Sequence, residues 1–391
     1  MSRMERRQKR KRKRGGLFLG AFLCIICIGG LAFISTKEKK MAENLDNILE
    51  EGSHMPLMPK KLEPTKEVET FTEADLPKEV ERPKEQEPIM VMISATGDFT
   101  LGNYLPTDET NTFDDVFRKQ GRDYGYFLSN VKDIFQSDDL TLVNLEGPLT
   151  HATKKMDKPF PFKGDPSYVR ILTEGGVEAV NVANNHSHDY FEQGHQDTLK
   201  ILEQTNIGYY GYGKSYITEQ KGIKIGVLGY KTWAKTDAFT QILEKEITHI
   251  KEQTDLLIVS FHWGDERTYY PNDIQKYYGH LAIDVGADLV IGHHPHVIQG
   301  IEQYKDRYIV YSLGNFCYGG HRNPPDKDTF IFQQTFVFDE QKQCLLHESF
   351  INLIPCRISS VPDRNDYRPT PLEGDEKERV RKRIEELSSH F

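Results

Sequence analysis

An α/β domain with a largely parallel sheet is predicted for this chain from residue 89 onward, and three observations predict it. Short runs rich in Val and Ile recur: IMVMISA (89–95), LTLVNL (140–145), VEAVNVA (177–183), KIGVLGY (224–230), DLLIVSF (255–261), DLVIG (288–292) and RYIVYSL (307–313). Runs so short and so β-branched suit buried strands better than helices. Between them, 165–175, 195–205, 239–253 and 272–286 read as helices. In the last, Ile274, Tyr277, Tyr278, Leu281, Ala282 and Val285 share one face. Strand–helix alternation of this kind makes α/β layers. The third observation is that carboxylates, amides and imidazoles stand directly after five of the runs, at the sheet end where ligand-binding groups converge.

The 391 residues carry a formal charge of −9, an average over unlike parts. Residues 1–14 sum to +8, 37–88 to −5 and the body to −12. So acidic a body excludes a chain-wide nucleic-acid binder, and no nucleic-acid partner is expected. At 37% hydrophobic residues, global disorder and a polytopic membrane protein are excluded as well.

Residues 1–16 form a basic tail and 17–34, LFLGAFLCIICIGGLAFI, a stretch without a charge. As a helix that stretch rises about 27 Å, near the roughly 30 Å of membrane hydrocarbon. A cleavable signal peptide has a shorter apolar core and a small-x-small exit, where this chain has AFIST; a lipoprotein signal needs a small residue where Ile26 precedes Cys27. The expectation is therefore an uncleaved transmembrane signal anchor in contact with membrane lipid. The basic tail would be cytoplasmic and the body extracellular. Residues 37–88 follow as a stalk, with fourteen Asp/Glu, nine Lys/Arg, six Pro and one aromatic, Phe71. Such a stretch buries too little apolar surface to offset its ordering entropy, and its prolines favour an extended spacer.

The body is expected to be one domain over 89–373. Near its end TFIFQQTFVF (329–338) and CLLHESFINLI (344–354), joined by DEQKQ, read as a C-terminal β-hairpin. Residues 374–391 read as a charged helix with Val380, Ile384 and Leu387 on one face. Cys317, Cys344 and Cys356 are too few and too far apart for a disulfide framework, although one bridge between Cys344 and Cys356 is conceivable.

The residues after the runs are Gly97-Asp98, then Asn144-Leu145-Glu146-Gly147, then Asn184-Asn185-His186-Ser187-His188-Asp189. Later come His262-Trp263-Gly264 and Gly292-His293-His294-Pro295-His296. Imidazole nitrogen with carboxylate oxygen suits a borderline divalent ion such as Zn, Mn or Fe. Pro295 biases His294 towards extended backbone, so His294 and His296 are expected to reach one ion together with His293 turned away. Asn185 offers an amide oxygen, leaving His186 to act on substrate or to coordinate. Taken singly, each has an ordinary explanation: Asp98 a cap, the NNH a turn, a lone His a loop residue. Five at successive strand ends point to one polar site.

The motifs ATGDFTLG, NLEGPLT, NVANNHSHDYFEQG, SFHWGDE, IGHHPHVIQGIE and YSLGNF, in this order, closely resemble the CapA family of poly-γ-glutamate capsule biosynthesis proteins, the group with the PgsA-type proteins. IPCRIS and NDYRPTP resemble the end of many members, so the resemblance covers roughly 89–373. It implies a calcineurin-like metallophosphoesterase sandwich, two β-sheets flanked by helices. It further implies one or two divalent ions held by Asp98, Glu146, Asn185, His262, His294 and His296, with His186 or His262 as acid/base. Asn144, Asp189, Asp265 and Asn315 would orient these groups from behind. Two departures stand out: Thr100 where the pattern has the His of Asp-x-His, and Leu145-Glu146 where it has Gly-Asp. The implied activity is phosphoesterase-like hydrolysis. The implied partners are a membrane complex that makes and exports poly-γ-glutamate, and the polymer itself. A non-catalytic assembly or polymer-handling role is the alternative.

Overall fold

The structure, a computed structural model, describes residues 87–105 and 109–391. The span expected at 17–34, the basic tail and nearly all of the stalk lie outside these residues. Among the described residues no helix is long and apolar enough to cross a membrane.

In chain order the elements are β1 (Ile89–Thr100), α1 (Phe113–Lys119), α2 (Lys132–Phe135), β2 (Leu140–Leu145), a 3-10 turn (Pro166–Tyr168) running into α3 (Val169–Gly175), and β3 (Ala179–Asn181). Next come α4 (Phe191–Gln204), β4 (Gly208–Tyr210), β5 (Tyr216–Gln220), β6 (Ile223–Thr232), α5 (Asp237–Lys251), β7 (Leu256–Trp263), α6 (Asp273–Val285) and β8 (Leu289–His293). The last are β9 (Ile301–Tyr304), β10 (Arg307–Val310), β11 (Asn315–Tyr318), β12 (Asp328–Phe338), β13 (Phe350–Arg357), β14 (Thr370–Pro371) and α7 (Gly374–Ser388).

These strands make two sheets. One runs β14-β13-β12-β1-β2-β3-β4 with β11 also paired to β1; the other runs β5-β6-β7-β8-β10-β9. In the first sheet pairing is parallel from β1 through β2 and β3 to the edge strand β4 and antiparallel on the other side, from β1 through β12 and β13 to β14. In the second it is parallel in the middle, from β6 through β7 and β8 to β10, and antiparallel at both edges. The sheets face each other across one apolar core, and helices cover the two outer faces.

Residue alternation explains why the strands read as continuously apolar. In β7, Leu256 and Ile258 enter the core between the sheets, with Val91, Ile93, Leu140, Leu142, Leu289 and Ile291. Leu257, Val259, Phe261 and Trp263 turn outward under Leu243 and Ile247 of α5 and Tyr278 and Ala282 of α6. On the other sheet Val143, Leu145 and Val180 pack outward against Phe113, Ile171, Leu172 and Leu202. Both faces of each central strand are therefore buried, each such side chain contributing about 1.5–3 kcal/mol.

The same parity positions the polar strand ends. His262 continues the inward series 256, 258, 260, and Asn144 the series 140, 142. In β1 the register with β2 shifts between Ala95 and Asp98, which turns Asp98 inward and Phe99 outward into the helix-side core. Gly97 makes that bend possible, because a Cβ there would lie 2.1 Å from the Gly314 carbonyl oxygen while the Asp98 N–H donates to that oxygen at 2.9 Å. Gly97→Ala is accordingly expected to destabilise the fold by about 3 kcal/mol, measured by thermal or denaturant unfolding. A variant as stable as the parent would contradict this account of the bend.

Two expectations need correction. The hairpin forms, pairing Asp328↔Arg357 through Thr335↔Phe350, but its second strand starts at Phe350 and not at 344. Ser349 explains the delay: its hydroxyl donates to the Leu345 carbonyl and accepts the Val337 N–H at 3.2 Å, closing 344–349 into a turn. Cys317, Cys344 and Cys356 are all free thiols, so the conceivable bridge does not form. The charged helix docks through Val380, Ile384 and Leu387 into the core between the sheets.

Candidate metal centre

Strand ends of both sheets deliver their polar residues to one place. Asp98 at the β1 bend is buried, and its Oδ1 accepts from Asn144 Nδ2 at 2.8 Å. The same Asn144 amide stands 3.3 Å from His262 Nδ1. His262 Nε2 lies 2.7 Å from Asn185 Oδ1, so the ring is held between the Asn144 and Asn185 side chains. Behind Asn144, the Asn181 and Asn184 side-chain amides donate to its Oδ1 at 3.1 and 3.4 Å, and Asn184 also donates to the Leu145 carbonyl at 2.8 Å. An asparagine lattice thus clamps the ends of β2 and β3.

Glu146 stands at the centre of the cluster. Its backbone N–H donates to the Phe99 carbonyl at 2.7 Å, and Thr100 Oγ1 donates to its Oε2 at 3.4 Å. Its Oε1 is buried without a hydrogen-bond partner. Three imidazole Nε2 atoms surround that oxygen, His262 at 3.7 Å and His186 and His296 at 3.8 Å each. These separations are too long for hydrogen bonds. For His262 and His296 they suit donors that each share an ion with Glu146, since ligands about 2.1 Å from a metal lie about 3–4 Å from each other. The buried Nδ1 of His294 likewise has no partner among the described residues. Two donor sets with ligand atoms within 4.8 Å of one another meet at Glu146: Glu146, His262 and His294 in one, Asp98, Glu146 and His296 in the other. The residues present therefore fit a divalent ion, with Glu146 shared between the sets.

Electrostatics follow from burial. Burial would raise the Asp98 carboxyl, but His293 and His296 beside it hold it well below the usual carboxylate range. Burial pushes Glu146 up to about 7, against the attraction of His296. Burial drives His262 well below its ordinary value and lowers His294 to about 4. His296 is the exception: burial opposes its charge, yet Glu146 and Asp98 raise it to about 10.

The loop after β8 departs from expectation. His294 has φ +96° and His296 φ +57°, so neither is extended backbone. His294 N–H reaches Asp98 Oδ2 at 3.3 Å, a bond that overrides the Pro295 bias. The two rings still converge, with centroids 5.8 Å apart. His293 is not turned away, since its Nδ1 lies 3.5 Å from Asp98 Oδ1. Asn315 orients His296, its Oδ1 2.9 Å from Nδ1 and its amide donating to the His296 carbonyl at 3.2 Å.

His186 is aimed by Asp189, whose Oδ2 lies 2.7 Å from Nδ1 and also accepts the Phe162 N–H at 2.7 Å. Its Nε2 consequently faces Glu146, and its ring packs 4.2 Å from the Phe162 ring. Asp265 does not join this arrangement: it is exposed and accepts from Asn272 at the N-cap of α6, at 2.8 Å.

Several residues here escaped the sequence reading. Lys158 is ion-paired with Asp189, donates to the Asn185 carbonyl at 3.2 Å and lies 3.2 Å from His186 Nδ1. It comes from a loop with no periodic pattern, which gave no signal. Trp233 stands edge-on to His294 at 5.4 Å. Glu266 has a carboxylate oxygen within 4.8 Å of ligand atoms of His294 and His296, and it was legible as part of SFHWGDE.

The family described as bacterial capsule synthesis protein PGA_cap matches residues 92–319, more than half of the chain. The PGA biosynthesis protein CapA of Bacillus subtilis (strain 168) is 32% identical over 247 residues, which are 58% of this chain and 62% of that protein. The capsule biosynthesis protein CapA of Bacillus anthracis is 29% identical over 267 residues, 60% of this chain and 61% of that protein. The chain thus spans under two thirds of the length of either relative. A purple acid phosphatase, PPD1 of yellow lupin seeds, aligns over 72% of this chain and 54% of its own at 11% identity and a TM-score of 0.32, too loose a likeness to carry weight.

Proposed function

The chain belongs to the bacterial capsule synthesis protein family, and from that premise we propose that it serves poly-γ-glutamate capsule synthesis or export through a metal-dependent, phosphoesterase-like hydrolase site. In this reading residues 17–34 anchor it in the cell membrane, the body works on the outer side beside a capsule synthase complex, and the two-sheet sandwich is a calcineurin-like metallophosphoesterase fold. The observation that carries the chemistry is the buried, unpartnered Glu146 Oε1 with three imidazole Nε2 atoms at 3.7–3.8 Å.

Asp98, Glu146, Asn185, His262, His294 and His296 would hold one or two divalent ions of Mn, Zn or Fe. Bound there, a divalent ion supplies Lewis-acid polarisation of an ester oxygen and acidifies water. The remaining work falls to the chain's own groups. His186 holds or gives a proton at Nε2 for the leaving group, because Asp189 occupies its Nδ1 side. Lys158 balances the Asp189 carboxylate and, through the Asn185 carbonyl, steadies the loop that carries both residues. Asn144 fixes the His262 ring through Nδ1 and so directs Nε2 inward.

A polymer-handling subunit without turnover is the second reading, favoured by Thr100, which donates to Glu146 where the resemblance implies an imidazole. Phosphoester turnover by the full chain with added Mn or Zn, measured beside capsule polymer in cells that carry the chain as their only copy, separates the two. Turnover lost together with polymer in the Glu146→Gln variant supports the enzyme. Polymer lost with no turnover by the parent supports the subunit, and polymer untouched in both overturns the capsule reading.

A further inference from the structure

A cleft of about 120 Å³ opens beside the centre, with His186, His296 and Asn315 on its inner side. Aromatic rings make one wall. Tyr104 lies 5.0 Å from Phe160 and 5.9 Å from Phe162, Phe162 lies 6.5 Å from Tyr318, and Tyr318 lies 5.3 Å from His296. Phe160 is 53% exposed, so this wall offers apolar surface to an occupant.

Charged and polar side chains line the cleft as well. Asp326 lines the cleft, but Arg383 of α7 takes up its carboxylate at 2.6 Å and Tyr269 Oη donates to it at 3.1 Å. Glu266 lines it too, and its carboxylate groups with His294 and His296 on the metal side. That leaves Arg267. Its backbone N–H is tied to the Pro295 carbonyl at 2.8 Å, in the left-handed region at φ +60°. Its guanidinium makes no ion pair or hydrogen bond among the described residues, although carboxylates stand nearby. His321 completes this lining: its Nδ1 accepts the Asn323 N–H at 3.0 Å, so the ring proton sits on Nε2 as a free donor. Arg267 is near enough that, after burial, it lowers the His321 pKa.

We infer that Arg267 and His321 form an oxyanion-binding subsite beside the metal centre. It takes a carboxylate or phosphate of a substrate whose body lies against the Tyr104–Phe160–Phe162–Tyr318 wall. An unpaired guanidinium offers a fork of N–H donors that matches either oxyanion. On a body of net charge −12 it also supplies a local cationic spot for an anion that the protein's average field repels. This inference rests on the centre described above being where substrate is handled.

The test titrates inorganic phosphate and a tri-γ-glutamate peptide into the full chain, with Mn or Zn and with chelator, in the parent, Arg267→Gln and Arg267→Lys. Arg267→Gln is expected to weaken at least one probe about tenfold, as loss of a charge-assisted hydrogen bond does. Arg267→Lys should recover part of the loss, and metal uptake should equal the parent's. Loss for phosphate alone assigns the subsite to a phosphoester, and loss for the peptide alone to the polymer's carboxylates. Unchanged binding of both probes by Arg267→Gln overturns the inference, as does a parent that binds neither. A parent that takes up no metal yet binds a probe through Arg267 would sink the metal centre and spare the subsite.

Discussion

Glu146→Gln is expected to weaken divalent-metal uptake by about a hundredfold or more while leaving the metal-free protein at least as stable as the parent. The first half follows from position, because Glu146 belongs to both donor sets. Loss of a mere supporting contact already costs about 10–100-fold in affinity, and a shared ligand should cost no less. The second half follows from burial. The Glu146 carboxyl is buried, its Oε1 has no hydrogen-bond partner, and burial pushes its pKa from 4.5 up to about 7. A folded state that keeps a proton which the unfolded chain releases loses stability as pH rises from about 4.5 through 7. Glutamine removes that dependence. With chelator present, the variant's melting temperature should therefore match the parent's near pH 5 and exceed it by pH 8. Metal raises the parent's melting temperature and not the variant's. A variant that loses stability in chelator and keeps its metal would refute both halves.

His186→Gln should separate proton transfer from metal binding. Phosphoester turnover is expected to fall about 10²–10⁴-fold, the usual span for loss of a general acid or base. Metal content should stay within error of the parent's, since both donor sets are complete without His186. Glutamine also fills most of the space beside Phe162, whose ring packs 4.2 Å from the imidazole, so the loss reports chemistry and not collapse. Asp189→Asn should show a smaller loss, because it leaves His186 in place and removes only its orientation and the partner of Lys158. If His186→Gln turned over normally, the proton would have to move through His262 or another group.

Much of this architecture was legible in the chain, for reasons tied to burial. The runs at 140–145 and 255–261 read as strands because β2 and β7 bury both faces, and their inward parity carries Asn144 and His262 into the gap between the sheets. Asp98 was legible from Gly97, although only the packing against Gly314 reveals why glycine must stand there. Local rules failed where a distant group competed. The Asp98 carboxylate bends His294 out of extended backbone and draws His293 towards itself, and nothing near Pro295 announces that. Asp265 looked fit to orient a histidine, but the N-cap of α6 claims it through Asn272. Lys158 acts from a loop without periodicity, and Arg267 gains meaning only once Arg383 of α7 has occupied Asp326.

Metal analysis of the purified full-length chain by plasma mass spectrometry, beside Glu146→Gln, bears most directly on the centre. The parent should carry ~1–2 divalent ions of Mn, Zn or Fe per chain and the variant under about a tenth of that. A parent that is isolated without metal, takes up none on dialysis against those ions and matches Glu146→Gln would contradict it.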